Sequence, residues 1–478
     1  MYQTQTNKEK FVLFLKLFIP VLIYQFANFS ATFIDSVMTG QYSQLHLAGV
    51  STASNLWTPF FALLVGMISA LVPVVGQHLG RGNKEQIRTE FHQFLYLGLI
   101  LSLILFLIMQ FIAQPVLGIL GLEDEVLAVG RGYLNYMLIG IMPLVLFSIC
   151  RSFFDALGLT RLSMYLMLLI LPFNSFFNYM LIYGKFGMPR LGGAGAGLGT
   201  SLTYWAIFIV IIIVMALHPQ IKTYHIWTLE RIKTPLIIED IRLGLPIGLQ
   251  IFAEVAIFAV VGLFMAKFSS IIIAAHQAAM NFSSLMYAFP LSISTALAIT
   301  ISFEVGAERF QDANTYSRIG RLTAVGITSG TLLFLFLFRE NVAAMYNSDP
   351  HFVAITAQFL TYSLFFQFAD AYAAPVQGIL RGYKDTTKPF MIGAGAYWLC
   401  ALPLAVILEK NSQLGPFAYW IGLITGIFVC GLFLNQVFFI IYIDLPLNVK
   451  RILGNSSLPS LSLMKAFASF LIWRRFIP

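Results

Sequence analysis

The run FVLFLKLFIPVLIYQFANFSATFIDSVMTG, residues 11–40, carries only two charged side chains, Lys16 and Asp35. At a rise of 1.5 Å per residue a helix of that length reaches about 45 Å, enough to cross a bilayer and both of its interfaces. The run is either a membrane span with one carboxylate sunk in it or the core helix of a soluble protein, and the rest of the chain decides between them. Of 478 residues, 58% are hydrophobic and 10% are charged, where a soluble domain carries about 25% charged residues. Mean hydropathy is +0.81. Apolar stretches near the length of a span recur twelve times, at about 12–38, 50–76, 92–113, 131–152, 163–184, 194–217, 242–266, 277–302, 320–338, 354–378, 390–408 and 417–442. These predict twelve transmembrane helices and an all-α integral membrane protein with no sizeable soluble domain. The segments are continuous apolar runs and not ten-residue alternating strands, which excludes a transmembrane β-barrel. The first run is too long, and too little like a small-residue cleavage site, for a signal peptide, and is expected to stay as helix 1.

Lysine and arginine number 29 against 21 acidic residues, an excess that could indicate nucleic acid. Their positions indicate a bilayer instead. With the N-terminus inside, 23 of the 29 fall in cytoplasmic segments, among them Lys8, Lys10, Arg81, Lys84, Arg151, Arg161, Arg231, Lys233, Arg309, Arg318, Arg381 and Lys384. The other face keeps Arg131, Lys185, Arg190, Lys267, Arg339 and Lys410. This asymmetry predicts a multi-pass protein of the cell (plasma or inner) membrane with both termini cytoplasmic, the lipid bilayer as its surroundings and no nucleic-acid partner. Cys150, Cys400 and Cys430 lie in apolar stretches without metal-ligand spacing and read as small core residues. No CxxC, HExxH, P-loop or dinucleotide motif stands in a fitting context, so neither an enzyme nor a cofactor is expected.

The chain also matches itself. A shift of 226 residues lays LFIPV (17–21) on LGLPI (243–247), pairing Pro20 with Pro246, and LAGVSTASN (47–55) on IAAHQAAMN (273–281), pairing Asn55 with Asn281. Gly80 meets Gly306. Farther on the offset drifts, with LGLT (157–160) set opposite RGYK (381–384) and GGAGAGLG (192–199) opposite GPFAYWIG (415–422). Six helices per copy is an even number, so both copies enter the membrane from the same side and form parallel repeats, as in transporters that rock two lobes about a central cavity. The predicted organisation is an N-lobe over 10–217, a cytoplasmic linker over 218–241, a C-lobe over 242–442 and a cytoplasmic tail of open role over 443–478.

Three acids lie far from either membrane face: Asp35, Glu254 and Asp370. An ionised acid at the centre of a span costs about 2.5–3.5 kcal/mol even on the lenient insertion scale, so each is a functional candidate. Counting helix rise from the basic belt puts Glu254 and Asp370 together, roughly 16–18 Å up, and Asp35 roughly 28 Å up in the other lobe. Asn174 and Asn178, spaced i,i+4 on one helix face, fall roughly 20 and 26 Å up, with Thr200 at a similar level. One carboxylate with amide and hydroxyl oxygens is a ligand set for a hard monovalent cation such as Na⁺. The same carboxylate could instead take up and release a proton.

These residues resemble the multidrug and toxic compound extrusion (MATE) family, and within it the NorM-type branch. The resemblance rests on FIDSVMTG (33–40), LGLPIGLQIFAE (243–254), IAAHQAAMN (273–281) and FADAYAAPVQGILRGYKDT (368–386), and spans about residues 10–440. It implies two six-helix lobes forming a V-shaped cavity, and export of cationic, amphipathic compounds in exchange for Na⁺ or H⁺ by alternating access. It implies a cation-coupling site at Asp35, Asn174, Asn178 and Thr200, and a cation or substrate site at Glu254 and Asp370, with Gln250, Gln277 and Asn281 in support. Asp35, Glu254 and Asp370 are the implied ligands of the monovalent cation, and a monomer is expected.

Other readings compete at several positions. Asp35 could cap an unwound helix end near Gly40, and Asn174 with Asn178 could simply join helices. Asp155 is expected to pair with Arg151, and His276 with Gln277 to start helix 8 in preference to binding substrate. GGAGAGLG reads as a close-packing stretch and not a nucleotide loop. The competing function is a lipid-linked saccharide flippase of the same superfamily, which would need deep basic residues beside its cavity; the deep charges here read as acidic. A channel would need a filter motif, and none is seen.

Overall fold

A computed structural model describes residues 4–265, 267–347 and 349–440, so the tail expected over 443–478, with Asp444 and five of the basic residues, lies outside the described residues. Among the described residues twelve helices are long and apolar enough to span a membrane. They are α1 (Asn7–Tyr42), α2 (Gln44–Gly80), α3 (Lys84–Ile119), α4 (Asp124–Ala156), α5 (Thr160–Tyr183), α6 (Gly193–Leu217), α7 (Thr234–Met265), α8 (Ser270–Gly306), α9 (Phe310–Ala344), α10 (Pro350–Gly382), α11 (Thr387–Asn411) and α12 (Phe417–Phe438).

Most are longer than the apolar runs that announce them, because polar caps carry the helix past the hydrocarbon. Thr6 and Glu9 form a capping box at the start of α1. Asn83 caps α3 through the amide of Gln86, and Asp349 caps α10 through that of His351. The linker expected over 218–241 is correspondingly shorter, since Pro219–Lys222 is helical and α7 already begins at Thr234. The connection between α1 and α2 is the single residue Ser43.

The duplication is written into the packing. α1 packs on α5 as α7 packs on α11, α4 on α6 as α10 on α12, and α2 on α4 as α8 on α10. Between the lobes α1 meets α8 and α7 meets α2, with α2 against α8. Exchanging the two lobes leaves that set unchanged, as a pseudo-two-fold axis between α2 and α8 requires.

The turns repeat as well, and they correct the alignment. Gly82 and Glu308 have φ 73° and 60°, and Gly158 and Lys384 have φ 74° and 59°. The bonds Leu159 N–H to Phe154 O and Asp385 N–H to Leu380 O are likewise 226 residues apart. The shift therefore stays at 226 through LGLT, which lies on Tyr383–Thr386 and not on RGYK. The drift comes later, where Gly192 and Gly415, with φ 58° and 54°, are matched as expected. Each of these positions closes a helix end or opens the next helix in the left-handed region, which suits glycine and strains Glu308 and Lys384.

The lobes meet where the α2–α3, α4–α5, α8–α9 and α10–α11 turns lie, the end rich in basic residues. Small residues let backbones touch there: a Cβ on Gly80 would strike the Phe303 carbonyl, and one on Gly306 the Gln77 carbonyl. Gln77 Nε2 donates to the Gly382 carbonyl at 3.1 Å, and Lys10 pairs with Asp312 at 3.2 Å. Among the described residues no inter-lobe hydrogen bond, ion pair or ring contact reaches past the level of the Phe26–Phe289 and Phe60–Phe252 ring pairs. Toward the other end, α2 exposes Ser51, Asn55 and Thr58, and α8 exposes Gln277, Asn281 and Ser284. The two stripes are related by 226. Polar side chains left exposed at membrane depth belong to a water-filled cleft and not to lipid.

The glycine stretch packs as expected: Gly195 sits on Leu181 backbone, Gly197 on Tyr133 and Gly199 on Asn178. His276 lies inside α8 and accepts from Trp420 Nε1 at 3.1 Å. Cys150 and Cys430 are buried as expected, but Cys400 is exposed on α11, so the reading of all three as core residues fails there.

Candidate cation and substrate sites

In the N-lobe three helices bring together the four residues named from sequence. Asn178 Nδ2 donates to Asp35 Oδ1 at 2.5 Å and reaches Asn174 Oδ1 at 3.2 Å. The Thr200 hydroxyl lies 3.5 Å from Asp35 Oδ2 and accepts from Asn174 Nδ2 at 3.4 Å. α1 supplies Asp35, the i,i+4 face of α5 supplies both asparagines, and α6 supplies Thr200. α1 continues unbroken through Asp35 and Gly40 to Tyr42, which removes the helix-end role for Asp35. Asn178 Oδ1 is buried without a partner, a costly state for an amide oxygen unless something visits it. The Asp35 carboxylate, the Asn174 and Thr200 oxygens and the Asn178 amide thus meet where a desolvated hard cation, or a proton on Asp35, would be held. Tyr133 and Tyr204, which sequence reasoning missed, stand within electrostatic range of Asp35.

Gly199 makes room for this cluster, since a Cβ there would collide with Asn178 Oδ1. Gly199→Val is expected to cost about 1–3 kcal/mol from overpacking and to displace Asn178 from Asp35. Thermal unfolding of the purified variant in detergent checks the first effect; an unchanged melting temperature would show that α6 yields without cost.

In the C-lobe, Glu254 on α7 accepts from Gln250 Nε2 at 3.2 Å, from Gln377 Nε2 at 3.4 Å and from the Tyr397 hydroxyl at 3.4 Å. Asp370 on α10 is buried and lies within Coulombic reach of Glu254. Of the supporting residues, Gln250 joins this site. Gln277 and Asn281 bond to each other at 3.3 Å on the exposed stripe of α8 and do not touch either acid.

Arg381 also lies within Coulombic reach of Glu254, and its Nε is buried without a partner. Arg151 in the N-lobe stacks over the Tyr24 ring at 5.3 Å, and Tyr24 donates to Asp155 Oδ2 at 3.1 Å. Asp155 is therefore bonded to Tyr24, with no direct ion pair to Arg151, because the guanidinium is drawn to the ring face. Two expectations change. Asp155 does not form the i,i+4 pair, and the deep charges are not all acidic. The shift of 226 pairs Tyr24 with Gln250, Arg151 with Gln377 and Asp155 with Arg381, so the lobes hold polar clusters of different charge at equivalent points. That correspondence was readable only with the uninterrupted offset, which the helix-end turns supply.

Comparison with known proteins adds three findings. The MatE family matches residues 20–180 and 246–407, one match in each half of the chain. The "Probable multidrug resistance protein NorM" of Streptococcus pneumoniae is 57% identical over 431 residues, covering 90% of this chain and 95% of that protein; the Bacillus subtilis protein of the same description is 42% identical, covering 89% and 95%. Among solved structures, the eukaryotic MATE transporter AtDTX14 superposes with a TM-score of 0.84 at 17% identity, covering 94% of this chain and 99% of that one.

Proposed function

From the premise that the chain belongs to the MATE family, NorM-type branch, we propose that it is a multidrug efflux transporter that exchanges cationic amphipathic compounds for Na⁺ or H⁺ by alternating access. The observation that carries the reading is the convergence of Asp35, Asn174, Asn178 and Thr200 from α1, α5 and α6. Buried carboxylates that have no structural counter-charge in direct contact are costly to keep, and exchange between two cations gives each a reason to be there.

In this mechanism the cleft beyond the Phe26–Phe289 level receives the drug. Gln277 and Asn281 offer hydrogen bonds, phenylalanine faces offer apolar and cation–π contact, and Glu254 with Asp370 supplies the charge. Entry of the coupling ion at either acidic site displaces the drug or prepares the lobes to exchange their open end. The oxygen-rich N-lobe set favours Na⁺ as that ion. The basic end faces the cytoplasm, so the lobes are drawn closed on the inside and the transporter opens outward in the cell membrane, with both termini cytoplasmic. It acts as a monomer, without a bound cofactor and without catalysing a reaction.

Expression in pump-deficient cells should lower accumulation of ethidium and of a fluoroquinolone; unchanged accumulation of both would refute drug export. For the orientation, single cysteines at Gln44 and Ser269 in a cysteine-free background should react with an impermeant maleimide from outside, while those at Asn83 and Thr387 should not. The reversed pattern would invert the transporter.

A further inference from the structure

A carboxylate that can offer both oxygens to a cation grips it harder than one that offers a single oxygen. Among the described residues, every hydrogen bond that Glu254 accepts converges on one atom. Gln250 from α7, Gln377 from α10 and Tyr397 from α11 all reach Oε1. The three share that oxygen at 3.2–3.4 Å, whereas among the described residues no donor reaches Oε2. Glu254 is half-buried, so the atom without a donor is the one available to a solute.

The origin of the third donor is unusual. Gln250 and Gln377 have polar counterparts in the N-lobe, Tyr24 and Arg151. Carried on from Thr386, the offset of 226 sets Tyr397 against Leu171, in the uninterrupted α-helix of α5. Tyr397 lies instead within a π-helical segment, Gly395–Ala401, that interrupts α11. A π turn takes in one extra residue and so rotates the side chains that follow by about 100° relative to a regular helix. Such segments are frequent at functional sites, and this one carries a hydroxyl to a buried acid.

We infer that Tyr397, presented by the π-helical segment of α11, is a positioning residue that makes Glu254 a one-oxygen ligand and so keeps a bound cationic drug releasable. The inference rests on the reading of Glu254 as a cation site. With three protein donors on Oε1, a cation binds at Oε2 alone; with the hydroxyl gone only the two amides remain there, and the amino groups of a drug such as ethidium compete with them for Oε1 while also binding Oε2. Transport requires binding that is firm enough to load and loose enough to leave, and the donors set that balance.

The test uses the full-length protein, with ethidium binding followed by fluorescence anisotropy in detergent at fixed pH and salt, and ethidium export followed in proteoliposomes. Tyr397→Phe should bind ethidium about tenfold more tightly, the scale of one hydrogen bond to a charged group, and its maximal export rate should fall by a similar factor. Gln377→Leu should move both quantities the same way, which guards against a folding defect peculiar to one variant. The tightening should vanish in a Glu254→Gln background. A merely structural role would lower the rate with affinity unchanged or weakened, and that result overturns the inference. If Glu254→Gln alone leaves both affinity and export untouched, the cation-site reading fails first. If Glu254→Gln weakens binding but neither donor variant tightens it, only the role of Tyr397 fails.

Discussion

Asp35→Asn should leave a well-folded protein that inserts normally and exports nothing above the background of empty membranes. The substitution is nearly isosteric, and it removes a charge that costs about 2.5–3.5 kcal/mol at the centre of a span, so stability should hold or rise. What it removes is the only acid of the N-lobe cluster. Asn178 Nδ2 would then face an amide in place of Asp35 Oδ1, and the oxygens of Asn174 and Thr200 would remain without a counter-charge for a cation. The checks are a monodisperse elution profile, a melting temperature no lower than the parent, and resistance to ethidium in cells. Normal resistance in a well-expressed variant would reduce the cluster to the interhelical joint that its hydrogen bonds alone describe.

The second large effect concerns Glu254 and Asp370. They come from α7 and α10 and interact electrostatically across the C-lobe site, and Arg381 bears on Glu254 from the same side. Two acids in one poorly solvated space resist joint ionisation and titrate as a pair. On the proposed function a cation entering between them would relieve that repulsion, and loading the drug and unloading the coupling ion would become a single exchange. Glu254→Gln and Asp370→Asn should each lower export about tenfold or more, and the double variant should be little worse than either one, where independent losses would multiply to about a hundredfold. Initial rates in proteoliposomes at matched protein density decide the matter. Multiplying losses would mean that the two acids serve separate steps.

Much of this site was legible in the sequence because the membrane makes polar residues conspicuous. Helix rise alone brought Glu254 level with Asp370, and i,i+4 spacing put Asn174 and Asn178 on one face. The same arithmetic could not find Tyr397, since a π-helical segment breaks the period on which the arithmetic depends. Nor could it find Arg151 and Arg381 as deep charges. Both lie near the ends of apolar runs, where arginine is usually taken for a surface residue; yet the Arg151 guanidinium turns in over the Tyr24 ring, and Arg381, one residue from the end of α10, turns its side chain in toward Glu254 with Nε buried. Gln277 and Asn281 were legible as polar and membrane-embedded but not as separate from the acids, because rotation about the α8 axis is set by packing against α2 and α10. The duplication was visible in Pro20 and Pro246. Its register past residue 157 was not, because matching the glycines of LGLT and RGYK, Gly158 on Gly382, gives an offset of 224, and only the left-handed turns at Gly158 and Lys384 restore 226.

Ion-coupled drug movement across a sealed bilayer is the most direct test of the whole account. Purified transporter in proteoliposomes, with ethidium present equally on both sides, should drive ethidium uphill when a Na⁺ gradient or a pH gradient is imposed in the opposing direction, with Na⁺ the stronger driver, and Asp35→Asn should abolish the movement. Ethidium that stays at equilibrium under both gradients, or that moves equally well in the Asp35→Asn protein, would contradict it.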